Sequence, residues 1–111
     1  MARKAPKLRV VYRERATLAL LEVWDWNAEQ YKPELADKYL AFLKRATDNL
    51  GTTYVQGRPV PTRPDFRYSL FKQRSRGFGH VAVYKVTEDA VEVLDIFHSA
   101  QDWHEHVRRF E

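Results

Sequence analysis

Seven side chains able to act on a phosphate fall between Arg67 and His98: Arg67, Lys72, Arg74, Arg76, His80, Lys85 and His98. Cutting RNA through its 2′-hydroxyl needs a base, an acid for the leaving oxygen and cations for the charge that develops on phosphate. Imidazoles change charge near neutral pH, so His80 and His98 are the natural proton carriers. With Arg67, Lys72 and Arg74 they make the candidate catalytic set of a metal-independent endoribonuclease. Strand alternation works against that set. Arg67 shares a face with Ser69, Phe71 and Gln73, whereas Lys72 and Arg74 follow Phe66, Tyr68 and Leu70 on the other. The same stretch also reads as a docking surface, with Arg67, Lys72, Arg74, Arg76, Tyr84, His98 and Trp103 as its partner-binding residues. His98 has a plainer role open to it, hydrogen-bonding its own turn or Asp102 where the chain enters the last helix. His104 and His106 stand two apart and point to different sides of a helix. No metal-ligand pattern is present, and no cofactor is expected.

Three β-rich runs position these groups: Phe66–Lys72, His80–Val86 and Val91–Phe97. Short turn-rich breaks separate them, as in an antiparallel meander. Leu8–Tyr12 is a first strand. From Ala16 the period becomes helical, with Ala16, Leu20, Val23, Trp24, Asn27 and Tyr31 on one stripe. Lys32-Pro33 ends that helix and starts another, since proline at the first helical position gives up only an amide that would be unpaired anyway. The second helix aligns Ala36, Tyr39, Leu40, Leu43, Ala46, Thr47 and Leu50, with Gly51 as its stop. Thr52–Asp65, carrying three prolines and a glycine, reads as a loop. Asp102 and Glu105 have the form of a capping box for a short helix over 103–110, on which Trp103, Val107 and Phe110 share a face. The predicted order is β-α-α-β-β-β(-α), an α+β arrangement of helices against one side of a mainly antiparallel sheet.

The chain has 111 residues, enough for a single domain over 1–111, with 1–7 as a basic tail. Its residues are 44% hydrophobic and 14% aromatic, a globular composition. No apolar run is long enough to cross a bilayer, and the N-terminus lacks the apolar core of a signal peptide, so no membrane association is expected. The absence of cysteine rules out disulfides and thiol chemistry and fits a cytoplasmic protein. A net charge of +4 favours an acidic partner.

Val23-Trp24-Asp25-Trp26-Asn27-Ala28-Glu29-Gln30-Tyr31, followed by Ala36-Asp37-Lys38-Tyr39-Leu40, resembles the helical hairpin of ParE-type toxins in the RelE/ParE superfamily of type II toxin–antitoxin systems. His80–Val86 is similar to that family's central strand, and Val93–Trp103 to its last strand with a His-x-x-x-Asp ending. The resemblance spans Leu8 to Trp103. The sequence departs from the pattern in its proline-rich 52–65 segment, in its extension over 104–111, and in Arg13-Glu14-Arg15, where a Ser or Thr cap is commoner. The resemblance implies a toxin that inhibits DNA gyrase by binding and is neutralised by a cognate acidic antitoxin; direct nucleic-acid contact is possible but not predicted. A ribosome-dependent mRNA endoribonuclease of the RelE branch is the alternative, and a relic or plain interaction module the third reading.

Overall fold

A computed structural model describes residues 5–75 and 77–110. Arg76 and the first four residues of the basic tail lie outside the described residues. The order is β1 (Arg9–Tyr12), α1 (Glu14–Gln30), α2 (Pro33–Asp48), α3 (Leu50–Thr53), a 3₁₀ turn (Tyr54–Gln56), β2 (Arg58–Val60), β3 (Arg63–Phe71), β4 (His80–Val86), β5 (Ala90–His98) and α4 (Trp103–Arg108). The strands form one sheet in the order β1-β5-β4-β3-β2. All neighbours are antiparallel except β1, which runs parallel to the start of β5. The α1–α2 hairpin lies on one face, as the helical periodicity predicts.

The two stripes bury Ala16, Ala19 and Leu20 from α1, and Ala36, Leu43 and Thr47 from α2. They meet Ala82, Tyr84, Val91, Val93 and Ile96 of the sheet in one apolar core. Thr47 is tolerated there because its hydroxyl donates to the Leu43 carbonyl at 2.7 Å. The other face carries a second core, in which Val60, Phe66, Val81, Val83, Leu94 and Phe97 pack under Trp103 and Val107. Helix α4 therefore covers the face opposite the hairpin, and the sheet is buried from both sides.

Four local expectations are corrected. Gly51 does not stop the helical segment, which breaks at Asn49 and resumes through Thr53. Its role is close approach: a Cβ there would stand 2.5 Å from the Leu8 carbonyl oxygen, and the Leu8 amide donates to the Gly51 carbonyl at 2.9 Å. The segment read as a loop carries α3, the 3₁₀ turn and β2, and β3 starts at Arg63. Pro59 in β2 sits at the sheet edge, where a missing amide costs no ladder bond. The capping box does not form, because α4 has no side-chain cap and Glu105 pairs with Arg108 at 2.9 Å.

Tyr84 is fully buried, and its hydroxyl donates to the Tyr54 carbonyl at 2.9 Å, tying the sheet to the turn after the hairpin. A Cβ on Gly57 would fall 1.8 Å from that hydroxyl and 2.7 Å from the ring carbon bearing it. Only glycine lets the chain pass over the ring here. Gly57→Ala should cost about 1–3 kcal/mol through overpacking. Tyr84→Phe should cost about 0.5–1.5 kcal/mol by removing one buried hydrogen bond, since the Gly57 amide still donates to the Tyr54 carbonyl at 3.4 Å. Urea denaturation checks both, and stability equal to the parent in Gly57→Ala would refute the close-approach account.

Candidate partner-binding grooves

The sheet sorts the residues singled out from sequence. Arg67 lies opposite Tyr84, and its guanidinium donates to the Val55 carbonyl at 3.3 Å. Phe71 is the residue opposite His80, so Arg67 stands four residues along the strand from that pairing. At strand rise this is a separation of about 13 Å. Lys72 and Arg74 follow the end of β3 and are exposed. His80 and His98 are direct partners across β4 and β5, with ring centroids 5.4 Å apart. The fold thus brings the imidazoles together and leaves Arg67 apart from them, while the Lys72 side chain passes beside Gly79, the residue before His80. Tyr84 is a core residue, and Trp103, packed against Tyr68 and Phe97, is buried as well. Neither offers a face to a partner.

Two open grooves flank the outer half of β5. Strand β1 pairs only with Ala90–Val93, so among the described residues no strand covers the outer side of Leu94–His98. That edge is capped by side chains. The Ile96 amide donates to the Asp95 carboxylate at 2.7 Å, and the His98 amide to the Gln101 side-chain oxygen at 3.1 Å. Such caps blunt an edge that would otherwise invite strand pairing.

The first groove, about 620 Å³, lies on the α4 side. Arg13, Glu14 and Arg15 enter from the start of α1, Lys85 and Leu94 from the sheet, and His106, Arg109 and Phe110 from α4 and its end. Phe66, Leu94 and Phe110 give it an apolar lining. Arg13 and Lys85 share Glu92, each at 3.5 Å. Arg15 reaches Asp95 at 3.9 Å while its guanidinium lies 5.1 Å from the Phe110 ring centre. Arg109 has no ion pair among the described residues. Cations around an apolar lining suit an acidic, partly apolar peptide. Sequence reasoning missed Arg13, Arg15 and Arg109 as site residues. The signal was present: an arginine at the N-cap and another in the first turn oppose the positive end of the helix dipole, a local misfit that points to another use.

The second groove, about 800 Å³, lies on the hairpin side between α1, the turn before β4 and the end of β5. Trp26, Tyr31, Tyr39, Phe78, His80 and His98 line it, with Glu22, Asn27 and Gln101 among its polar groups. The Tyr39 hydroxyl bonds His80 Nδ1 at 2.5 Å, joining α2 to β4. His98 Nδ1 accepts the Ala100 amide at 3.1 Å, so the imidazole braces the turn into α4.

A hairpin on one face of a five-stranded sheet with a parallel N-terminal edge strand defines an α+β fold of the RelE/ParE type. A chain of the chromosomal ParDE TA system from P. aeruginosa has the same fold, with a TM-score of 0.71 at 20% identity over 82% of this chain and 95% of that one. A family model described as the ParE toxin of type II toxin-antitoxin system, parDE, matches residues 7–103, and the chain belongs to that family. No curated protein matches the sequence. The family match does not favour the RelE-branch nuclease, and neither does the distance between Arg67 and the paired imidazoles.

A buried carboxyl and a partly buried imidazole set the acid behaviour of this region. Burial, and then the neighbouring His98, lower His80 to about 4. Burial raises Asp95 to about 6, against the opposing pull of the Ile96 amide and Arg15. Between about pH 4 and 6.5 the unfolded chain binds more protons at residue 80, so His80 makes stability rise with pH. Between about pH 4 and 6 the folded chain binds more protons at residue 95, so Asp95 makes stability fall with pH. The two slopes oppose each other over nearly the same window. Asp95→Asn should therefore steepen the gain in stability from pH 4 to 6.5, whereas His80→Asn should flatten or reverse it. Denaturant midpoints across this range test the pair, and parallel profiles for the parent and both variants would refute it.

Proposed function

We propose that this chain is the toxin of a type II toxin–antitoxin pair that inhibits DNA gyrase by binding rather than by catalysis, and that a cognate antitoxin neutralises it through an acidic segment. Membership of the ParE family supports the toxin reading. The observation that carries the neutralisation reading is the groove of Arg13, Arg15, Lys85 and Arg109 over Phe66, Leu94 and Phe110. An unfolded acidic segment would order on it, exchanging solvent for cations at the rim and apolar side chains at the floor. Exposed Lys72 and Arg74 extend the positive surface beyond the groove, and Arg67 and His98 remain candidate contact residues. No helix of the described residues is long and apolar enough to cross a membrane, and gyrase as target places the toxin in the cytoplasm.

Purified toxin should abolish gyrase supercoiling and leave in vitro translation intact, and the acidic product of an adjacent reading frame should restore supercoiling. Loss of translation with intact supercoiling would overturn the gyrase reading. Lys85→Glu combined with Arg109→Glu should weaken that antitoxin's binding roughly tenfold or more and reduce its salt dependence. Unchanged affinity measured by calorimetry would move the antitoxin to another surface.

A further inference from the structure

The aromatic groove has the opposite electrostatic character to the basic one. Among its lining residues the only permanently charged side chain is the carboxylate of Glu22. The hairpin around it is acidic: from residue 22 to 38 it carries Glu22, Asp25, Glu29, Glu34 and Asp37 against Lys32 and Lys38. Its aromatic walls are open to solvent, with Trp26 53%, Tyr31 63% and Phe78 72% exposed. Trp26 and Tyr31 meet edge to face at 6.1 Å, so each holds the other's ring in place. His80 adds no positive charge near neutral pH, because burial lowers it to about 4.

Aromatic faces beside a carboxylate, with no lysine or arginine among the described lining residues, are the chemistry that receives an ammonium or guanidinium group. We propose that this groove is a docking site for a peptide segment of a protein partner that presents an arginine or lysine between apolar residues, the cation lying against Trp26 and Phe78 with Glu22 as its counter-charge. The apolar neighbours of that cation would cover Val23 and Ile96 deeper in the groove. A nucleic acid strand fits poorly, because its phosphates would face Glu22 and the acidic hairpin. A wholly acidic segment is disfavoured for the same reason. The site is therefore distinct from the basic groove in the charge it selects, and it does not depend on the target or on the antitoxin assigned above.

The chain has three tryptophans, so its ¹⁵N-edited spectrum should show three indole signals. Trp24 donates its indole N–H to Asp37 at 2.8 Å and Trp103 is buried, which leaves Trp26 as the exposed reporter. Titration with Nα-acetyl-arginine methylamide should move the Trp26 signal at millimolar concentrations. The uncharged citrulline counterpart should leave it in place, and the other two signals should not move with either compound. Glu22→Gln and Phe78→Ala change exposed side chains and should each weaken the response roughly two- to fivefold, with the unmoved Trp103 signal reporting an intact fold. An equal response to citrulline would show an apolar site without charge selection and overturn the proposal. So would a Trp26 signal that moves with neither compound, or a response that Glu22→Gln and Phe78→Ala both leave unchanged. Gyrase inhibition and neutralisation by an acidic antitoxin can each hold or fail whichever result is obtained.

Discussion

The irregularity between Val83 and Tyr84 in the β4–β5 ladder decides what the rest of the molecule can be. Tyr84 lies opposite Val93, but Val83 lies opposite Asp95, so Leu94 is an extra residue in β5. Strict alternation from Val91 would put Asp95 on the same face as Val93, inside the core beneath the hairpin. The bulge instead returns Ile96 to the hairpin core and turns Phe97 into the core under α4, the face on which Leu94 already lies. A carboxylate in the hairpin core would have no partner to offset its desolvation. At the bulge Asp95 has one, the Ile96 amide, with Arg15 close by. A single extra residue thereby lets one strand serve two cores and keep a charge between them.

Both grooves follow from the same feature. Strand β1 ends where the bulge begins, so its parallel pairing with β5 stops at Val93 and the chain turns into α1, with the Arg13 amide donating to the Val93 carbonyl at 2.9 Å. The first turn of α1 then stands over Leu94 on the α4 side, and its later turns line the hairpin side with Ile96 and His98. Capping of the outward amides by Asp95 and Gln101 leaves this edge without free donors at Ile96 and His98. Side-chain recognition in the grooves is favoured there over strand addition.

Much of this was legible in the residues. The two helices, the break at Lys32-Pro33, the central strand His80–Val86 and the meander follow from period and turn chemistry, and each stands in the structure, although Tyr31, placed on the first stripe, lies past the end of α1 and is exposed. Strand β2 was hidden because a three-residue edge strand containing Pro59 looks like a loop in composition. The face taken by α4 was not readable either. Trp103, Val107 and Phe110 declare an apolar side, but which face of the sheet receives it depends on the bulge, and a bulge has no signature in VEVLDIF beyond the awkward Asp95. The site was the least legible part. Alternation says nothing of Lys72 and Arg74, which lie beyond the end of β3 at Phe71, and residues joined by contact across elements, such as Arg13 with Glu92 or Tyr39 with His80, have no sequence spacing to betray them.

The division of charge along α1 carries the last consequence. The helix begins with Arg13 and Arg15 at the basic groove and passes to Glu22 and Trp26 at the aromatic one, so a segment lying along it meets opposite fields at its two ends. Charges of one sign throughout such a segment would gain at one end and lose at the other. A segment acidic where it faces Arg109 and cationic where it faces Trp26 gains at both, and only in one direction along the helix. Both fields are fixed by side chains on one rigid helix packed against β5. A chain that occupied both proposed grooves would therefore be selected for its polarity as well as its composition, which apolar burial alone, being non-directional, does not do.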